Sequence, residues 1–435
     1  MAISKIDWSS LWRKEDWWAN WVGFFLFALC ISGIIGIIYE VPKFKMWTAN
    51  PLDSIPDGML LPLLILVVGL TILYTVAIRT MKESATRFIP AFIVVFLIVC
   101  VSFIISNQAT VKAWGLAYPL WAVLIGLVIA NTVGVPNWLK PGAKTELYIK
   151  TGLVLLGAEI LFGRILKLGP AGLAIAWGVT PFVLLFMYYY GTRVLKIDRA
   201  LVLVLSAGTS ICGISAAVAS AAACKARKEY LTLTIAIILI FTVFLMFALP
   251  AFCRLVGLSE IMAGGWIGGT VESTGAVVAA GELVGPKAME VAVVIKMIQN
   301  VLIGIFAFII AAVWVVKLER DPTAPRPGLG EIWFRSPKFI IGFLALSLIS
   351  SFVLMPILGD AGVATIVSGS KALRGFFFSL AFVSIGLESN FRELAKSMAG
   401  GKPLILYFMG LAFNLLLTFF IVWLTLSGVL FPMPI

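Results

Sequence analysis

Three stretches of this chain set polar chemistry inside apolar sequence. The first is Ser206-Ala-Gly-Thr-Ser-Ile-Cys-Gly-Ile-Ser215. Glycine frees the backbone from helix, and hydroxyls re-satisfy the N–H and C=O groups that a break exposes. A helix broken at Gly208–Gly213 would present a half-helix N-terminus, with free N–H donors and roughly half a positive charge, which suits an anion. Gly208, Thr209, Ser210, Cys212, Gly213 and Ser215 are therefore candidate anion-binding residues. The competing reading is close packing through small residues, as in the alanine run at 216–223.

The second stretch is Gly264-Gly-Trp-Ile-Gly-Gly-Thr-Val-Glu-Ser-Thr-Gly-Ala276. Glu272 is the candidate coupling group, taking a proton or cation while Thr270, Ser273 and Thr274 hold the substrate. A carboxylate in an apolar run costs several kcal/mol unless paired, protonated or hydrated. A structural ion pair with Lys296 is the alternative. Lys296 interrupts the third stretch, Val291-Ala-Val-Val-Ile-Lys-Met-Ile-Gln-Asn300, and shares a helix face with Asn300. It should line a cavity, where it could neutralise an anion or pair with Glu272. Ser384 and Glu388 belong to a weaker echo of the first stretch, in which Ser384-Ile-Gly386 parallels Ser206-Ala-Gly208, and Glu388 is a second candidate coupling group. Glu159 and Arg164, five apart near a helix boundary, read as snorkelling charges.

Histidine is absent, so proton chemistry near neutral pH would fall to a carboxylate, cysteine or lysine. No Walker lysine motif, zinc-ligand cluster or nucleophile elbow is present. The expectation is therefore no enzyme, no cofactor and no metal centre, with coupling to H+ or Na+ left open. Cys30, Cys100, Cys224 and Cys253 read as packing residues without ligand spacing.

Long apolar elements must position these groups. The 435 residues are 61% hydrophobic and only 12% charged. A soluble domain carries about twice that charged fraction, whereas lipid can solvate such a chain. The net charge of +12 sits in short loops between apolar runs, the positive-inside pattern of an inner-membrane protein rather than a nucleic-acid surface. Trp8, Trp12, Trp17, Trp18 and Trp21 suggest a segment at headgroup level. Apolar runs predict an all-α integral membrane protein with about 11–13 transmembrane helices. The uncertainty lies in the interrupted segments 201–224 and 261–283, which either cross or re-enter. Residues 1–113 read as a tail with three leading helices. Residues 114–256 and 257–435 read as two five-helix repeats, inverted and containing discontinuous helices.

At these residues the chain resembles a family of bacterial inner-membrane proteins labelled sulfate exporters. The likeness rests on Gly208-Thr-Ser-Ile-Cys-Gly213, the basic cluster at 225–229, Val277-Val-Ala-Ala-Gly281 and Val294-Ile-Lys296, with support from 125–131 and 152–157. It covers residues 117–429. The family is grouped with sodium–proton antiporters and bile-acid symporters. The resemblance therefore implies crossed, discontinuous helices in inverted repeats, and an elevator-like or rocking motion. Two departures fall on pocket positions. Val271-Glu272-Ser273-Thr274 stands where the family has His-Asp before Thr-Ser, and Gln299 stands where it has arginine. Those changes open the substrate to another sulfur oxyanion or a small organic anion.

The expected function is a secondary transporter exporting a small anion such as sulfate, sulfite or a sulfonate across the inner membrane. The alternatives are an anion channel, or an importer or exchanger of a small carboxylate. The expected partners are that anion and the lipid bilayer, with no nucleic acid; a homodimer is left open. Basic-loop distribution puts the N-terminus and the 317–338 loop in the cytoplasm. Ser4→Cys and Thr323→Cys variants should therefore react with an impermeant maleimide in inside-out vesicles only. Labelling of either from outside intact cells refutes this orientation.

Overall fold

The computed structural model describes residues 9–35, 38–113, 117–160, 162–314, 333, 336–396 and 401–429. The chain is an all-α integral membrane protein. Among the described residues, eight helical runs are long and apolar enough to cross a bilayer. On Leu60–Thr80, the side chains of Leu61, Leu64, Ile65, Val68, Ile72 and Val76 lie 47–64% exposed, a stripe that lipid rather than water would cover. Trp8 and nearly all of the 317–338 loop lie outside the described residues.

Two compact units divide the chain, Met1–Ile165 with Lys338–Asn390, and Leu166–Pro337 with Phe391–Ile435. Packing groups helices by shared faces, so each unit draws on separate stretches of the chain.

In the first unit, Thr145–Gly157 is the central helix. It runs parallel to Phe339–Leu348, with Gly157 against the Phe343 carbonyl. It runs antiparallel to Met355–Glu388, with Gly152 on Phe378 and Thr145 at Glu388. The long run Phe339–Glu388 is thus two helices folded back at Gly359, where φ is +65°. Glu159 pairs with Arg374 through two bonds of 2.6 and 3.1 Å. The snorkelling reading of Glu159 is therefore corrected: its partner is a buried arginine 215 residues away. The Arg164 side chain lies outside the described residues. Asp16 accepts from Lys150 at 2.8 Å and from the Lys338 backbone at 2.7 Å, fastening Glu15–Ile31 to the start of the Phe339 helix.

In the second unit, both interrupted segments fold back on themselves. Helix Arg199–Ala207, with Asp198 accepting from the Ala200 N–H, leads into a π turn at Gly208–Cys212. Helix Gly213–Ala223 then returns. Cys224 reaches the Ala200 carbonyl at 4.0 Å, which a continuous helix of that length could not allow. Helices Glu260–Thr270 and Thr274–Val284 form the second hairpin. Its open ends meet where Glu260 accepts from the Lys287 and Ala288 N–H groups. Gly264 and Gly268 press on the carbonyls of Ala288 and Ala292 in helix Pro286–Asn300, where any Cβ would collide. The arms hold 9 to 11 residues, so each covers only about half of a ~30 Å hydrocarbon core. Both interrupted segments are therefore helical hairpins, and Arg199–Ala223, one of the eight long runs, is two short arms and not one continuous helix.

In the first unit, helix Tyr118–Thr132 crosses Met355–Glu388 at Gly126 and Gly386 with backbones in contact. A methyl group at residue 386 has no flexible neighbour to displace, since it meets the Val123 carbonyl and the Gly126 Cα. Gly386→Ala should destabilise the protein by about 1–3 kcal/mol. Gly375→Ala, with open space around it, should not. Thermal unfolding in detergent compares the two, and equal midpoints would discount the crossing.

Candidate functional site

The two hairpin tips meet inside the second unit. At the first tip the backbone turns through Cys212 (φ −147°, ψ 58°) and Gly213 (φ +45°, ψ −120°). The left-handed φ favours glycine. The second tip is Val271-Glu272-Ser273. A Cβ at Gly213 would lie 3.6 Å from the Glu272 carbonyl oxygen, and Cys212 Sγ is 3.2 Å from Thr274 Oγ1.

Each tip joins the C-terminal end of an incoming arm to the N-terminus of an outgoing one. A helix end leaves carbonyls unpaired, and a helix start leaves N–H groups unpaired. The carbonyls are satisfied by one pair of side chains on the Pro286–Asn300 helix. Lys296 Nζ donates to the Ile211 carbonyl at 2.6 Å and to Gln299 Oε1 at 2.7 Å. Gln299 Nε2 reaches the Ser210 carbonyl at 3.1 Å, Thr180 Oγ1 at 3.1 Å and the Gly269 carbonyl at 3.4 Å. The cation thus sits at the negative end of an incoming arm, where the helix dipole favours it. The outgoing starts carry no such cap. Neither Cys212 nor Ser273 caps its helix with a side chain. Two helix N-termini therefore face one another with uncapped first turns.

Polar atoms around the tips are buried and unpartnered. They are Thr209 Oγ1, Thr270 Oγ1, Glu272 Oε1, Asn300 Oδ1 and Tyr407 Oη. The parent side chains of the first four are no more than 1% exposed. Asn300 also donates to Thr274 Oγ1 at 3.2 Å. The second carboxylate oxygen of Glu272 accepts from Thr242 Oγ1 at 2.8 Å. The Tyr407 hydroxyl faces this carboxylate without a full hydrogen bond.

The structure thus brings together Gly208, Thr209, Ser210, Cys212, Gly213, Thr270, Glu272, Ser273, Thr274, Lys296 and Asn300, with Ser215 half-buried one turn into the outgoing helix. Several assigned roles change. Glu272 and Lys296 form no ion pair among the described residues; Lys296 binds a carbonyl and an amide instead. Ser210 Oγ is turned back onto the Ser206 carbonyl at 2.6 Å, so it offers its carbonyl to the cluster and not its hydroxyl. Ser384 and Glu388 belong to the first unit, where Ser384 bonds the Leu380 carbonyl and Glu388 accepts from Thr145. Thr242, Thr180 and Tyr407 were not foreseen as site residues, whereas the family resemblance had put Gln299 at a pocket position. Gln299 had a signal, since it stands one turn from Lys296 in an apolar helix.

Residues 90–407 match the family model described as conserved hypothetical protein 698. A UPF0324 membrane protein of Rhodopirellula baltica is 50% identical over 378 residues, covering 86% of this chain and 69% of the relative. One from Nitratidesulfovibrio vulgaris is 47% identical, covering 82% of this chain and 62% of its own length. The chain therefore spans about two thirds of these relatives. The UPF0324 inner membrane protein YeiH of Salmonella typhi is 29% identical over 66% of this chain and 79% of its own. No solved structure matches.

Because Gln299 holds both incoming arms, its loss should be felt at both tips. Gln299→Leu leaves the Ser210 and Gly269 carbonyls and the Lys296 ammonium short of partners, and should cost about 1–3 kcal/mol. Thermal unfolding of purified protein measures this, and an unchanged midpoint would show the clamp to be dispensable.

Proposed function

Since the chain belongs to the conserved hypothetical protein 698 family, whose relatives are membrane proteins, we propose that it is a secondary transporter binding a small oxyanion between its two hairpin tips. The observation that carries this reading is the meeting of two uncapped helix N-termini among buried, unpartnered polar atoms. An oxyanion leaving water needs fixed donors in place of its hydration. First-turn N–H groups supply them without adding a full charge, so release stays feasible. Thr209, Thr270, Ser273 and Thr274 add hydroxyls, and Asn300 and Ser215 border the same tips. Lys296 lends positive potential from its carbonyl cap, while Glu272 serves as the coupling group.

The close burial of the tips favours an occluded carrier over an open anion channel, which would leave these residues wetted. Sulfate, sulfite and sulfonates fit the donor set; export is the direction that the family resemblance implies, and a cytoplasmic N-terminus is what the basic loops favour. The inner-membrane name of the Salmonella relative supports that location. Movement of the second unit would expose the tips alternately, in an elevator-like or rocking manner, and inverted repeats would supply the two related states. No enzymatic reaction and no resident cofactor enter this reading.

A thermal-shift and binding screen of purified protein across sulfate, sulfite, methanesulfonate and small carboxylates tests it. At least one oxyanion should stabilise the protein saturably. Thr274→Val keeps the shape and the backbone N–H but removes one hydroxyl donor. It should weaken binding about ten- to a hundredfold, the effect of about 1.5–3 kcal/mol for a hydrogen bond to a charged ligand. No binding by any anion in the screen, or unchanged affinity in Thr274→Val, removes the tips as the site.

A further inference from the structure

Glu272 is the one carboxylate at the tips, and its surroundings specify what it can couple to. From helix Lys228–Leu255, Thr242 donates to one carboxylate oxygen. From helix Gly401–Leu426, the Tyr407 hydroxyl faces the carboxylate. From the first hairpin, the Gly213 backbone packs beside the Glu272 carbonyl, with Cys212 held on Thr274. Lys296 is the charged group that acts on it, at longer range than an ion pair. Thr180, on helix Phe162–Tyr189, is held by Gln299.

A sodium ion bound at broken helices draws on the carbonyls at their C-terminal ends. Here those carbonyls, on Ser210, Ile211 and Gly269, already accept from Gln299 and Lys296. Around Glu272 itself stand two hydroxyls, Thr242 donating to one carboxylate oxygen and Tyr407 facing the carboxylate without a bond. Hydroxyls are suited to a proton, because each can donate or accept.

We propose that Glu272 carries one proton for each anion moved, with the Tyr407 hydroxyl donating to the ionised carboxylate and accepting from the protonated one. In the ionised state the Thr242 and Tyr407 hydroxyls point their hydrogens at the two carboxylate oxygens. On protonation an O–H bond forms at Oε1 and points at the Tyr407 oxygen, whose own hydrogen rotates away. The proton comes from water on the side to which the site is open and returns to water on the other. Nothing is oxidised or reduced.

The coupling follows from the shared position. Glu272 lies one residue before Ser273, the N-cap of the second outgoing helix. Its negative charge and that of a bound oxyanion would occupy the same pair of helix N-termini. Two negative charges this close in a water-poor site repel strongly. The anion is therefore bound well only when Glu272 is neutral, and by linkage a bound anion draws a proton onto Glu272. Anion and proton then travel together.

This inference rests on the anion-site reading, and the test separates the two. Sulfate and methanesulfonate are added to purified protein in weakly buffered solution at pH 6–10, with bound anion and proton uptake measured together. Where Glu272 is ionised in the anion-free protein, wild type should take up about one proton per anion and its affinity should fall about tenfold per pH unit; at lower pH, where Glu272 already holds its proton, uptake should vanish and affinity should level off. Glu272→Gln should bind the anion with no uptake and a flat pH profile. Tyr407→Phe should still bind anion while shifting the midpoint of that profile. Sodium is varied in parallel. Anion binding without proton uptake at every pH in the range, or binding that requires sodium, overturns proton coupling and leaves the anion site standing. Infrared spectroscopy of the anion-free protein gives an independent reading. A carboxylic-acid C=O band that titrates in wild type, is absent in Glu272→Gln and shifts in Tyr407→Phe supports the proton site. Its absence in wild type across the range overturns it, whether or not either anion binds.

Discussion

A peptide group broken out of a helix inside an apolar environment must find a partner or exact a cost of several kcal/mol. The second unit breaks two helices and so creates that problem twice, in two opposite forms. Carbonyls accumulate where the incoming arms stop, and N–H groups where the outgoing arms begin. Only the first form is answered within the protein, by the Lys296–Gln299 pair. That asymmetry sets the character of the site. With the negative ends capped and the positive ends open, the tips offer the kind of donors that the proposed anion would need.

Composition and the glycine–hydroxyl strings made the membrane class and both breaks legible before any coordinates. Helical periodicity could not say whether the chain continues through a break or reverses at it, because both outcomes share the same residues. Reversal is decided by long-range packing, as in the approach of Cys224 to Ala200 and of Glu260 to Lys287. The same limit hid Thr242 and Tyr407. A threonine in an apolar helix ordinarily bonds its own preceding turn, as Ser210 does, and nothing local marks the one that reaches across to a carboxylate. Glu159 shows the converse. Its nearest arginine in sequence, Arg164, drew the eye, whereas its partner Arg374 becomes a neighbour only once the chain has folded.

The two units handle buried polarity differently, each within its own helices. In the first, charges close on one another: Glu159 with Arg374, Asp16 with Lys150, Lys150 with Glu146. The unpartnered atoms there, on Asn20, Thr75, Ser350 and Ser379, are scattered over separate helices. In the second, Glu272 and Lys296 are both buried, yet each takes neutral partners in place of the other. A carboxylate and an ammonium joined directly would form a stable, closed pair with little affinity left for a ligand. Holding them apart keeps a negative group available for neutralisation and a positive group available as a source of potential.

The glycines of the second hairpin bear on whether such a tip could move. Gly264 and Gly268 face helix Pro286–Asn300, while Gly265 and Gly269 face Val422 and Thr418 of the last helix. Paired small residues let an arm lie close to two neighbours at once, through a smooth contact with few interdigitating side chains. Such a surface gives van der Waals contact without the ridges that lock two helices in register. The tip, in contrast, is fixed by hydrogen bonds concentrated on Gln299, Lys296 and Thr242. Displacing the hairpin would break these contacts together with those of Glu260 at its open end and of Trp266 on its first arm. The share of that cost that lies at the tip is the share that a bound anion or a proton could change.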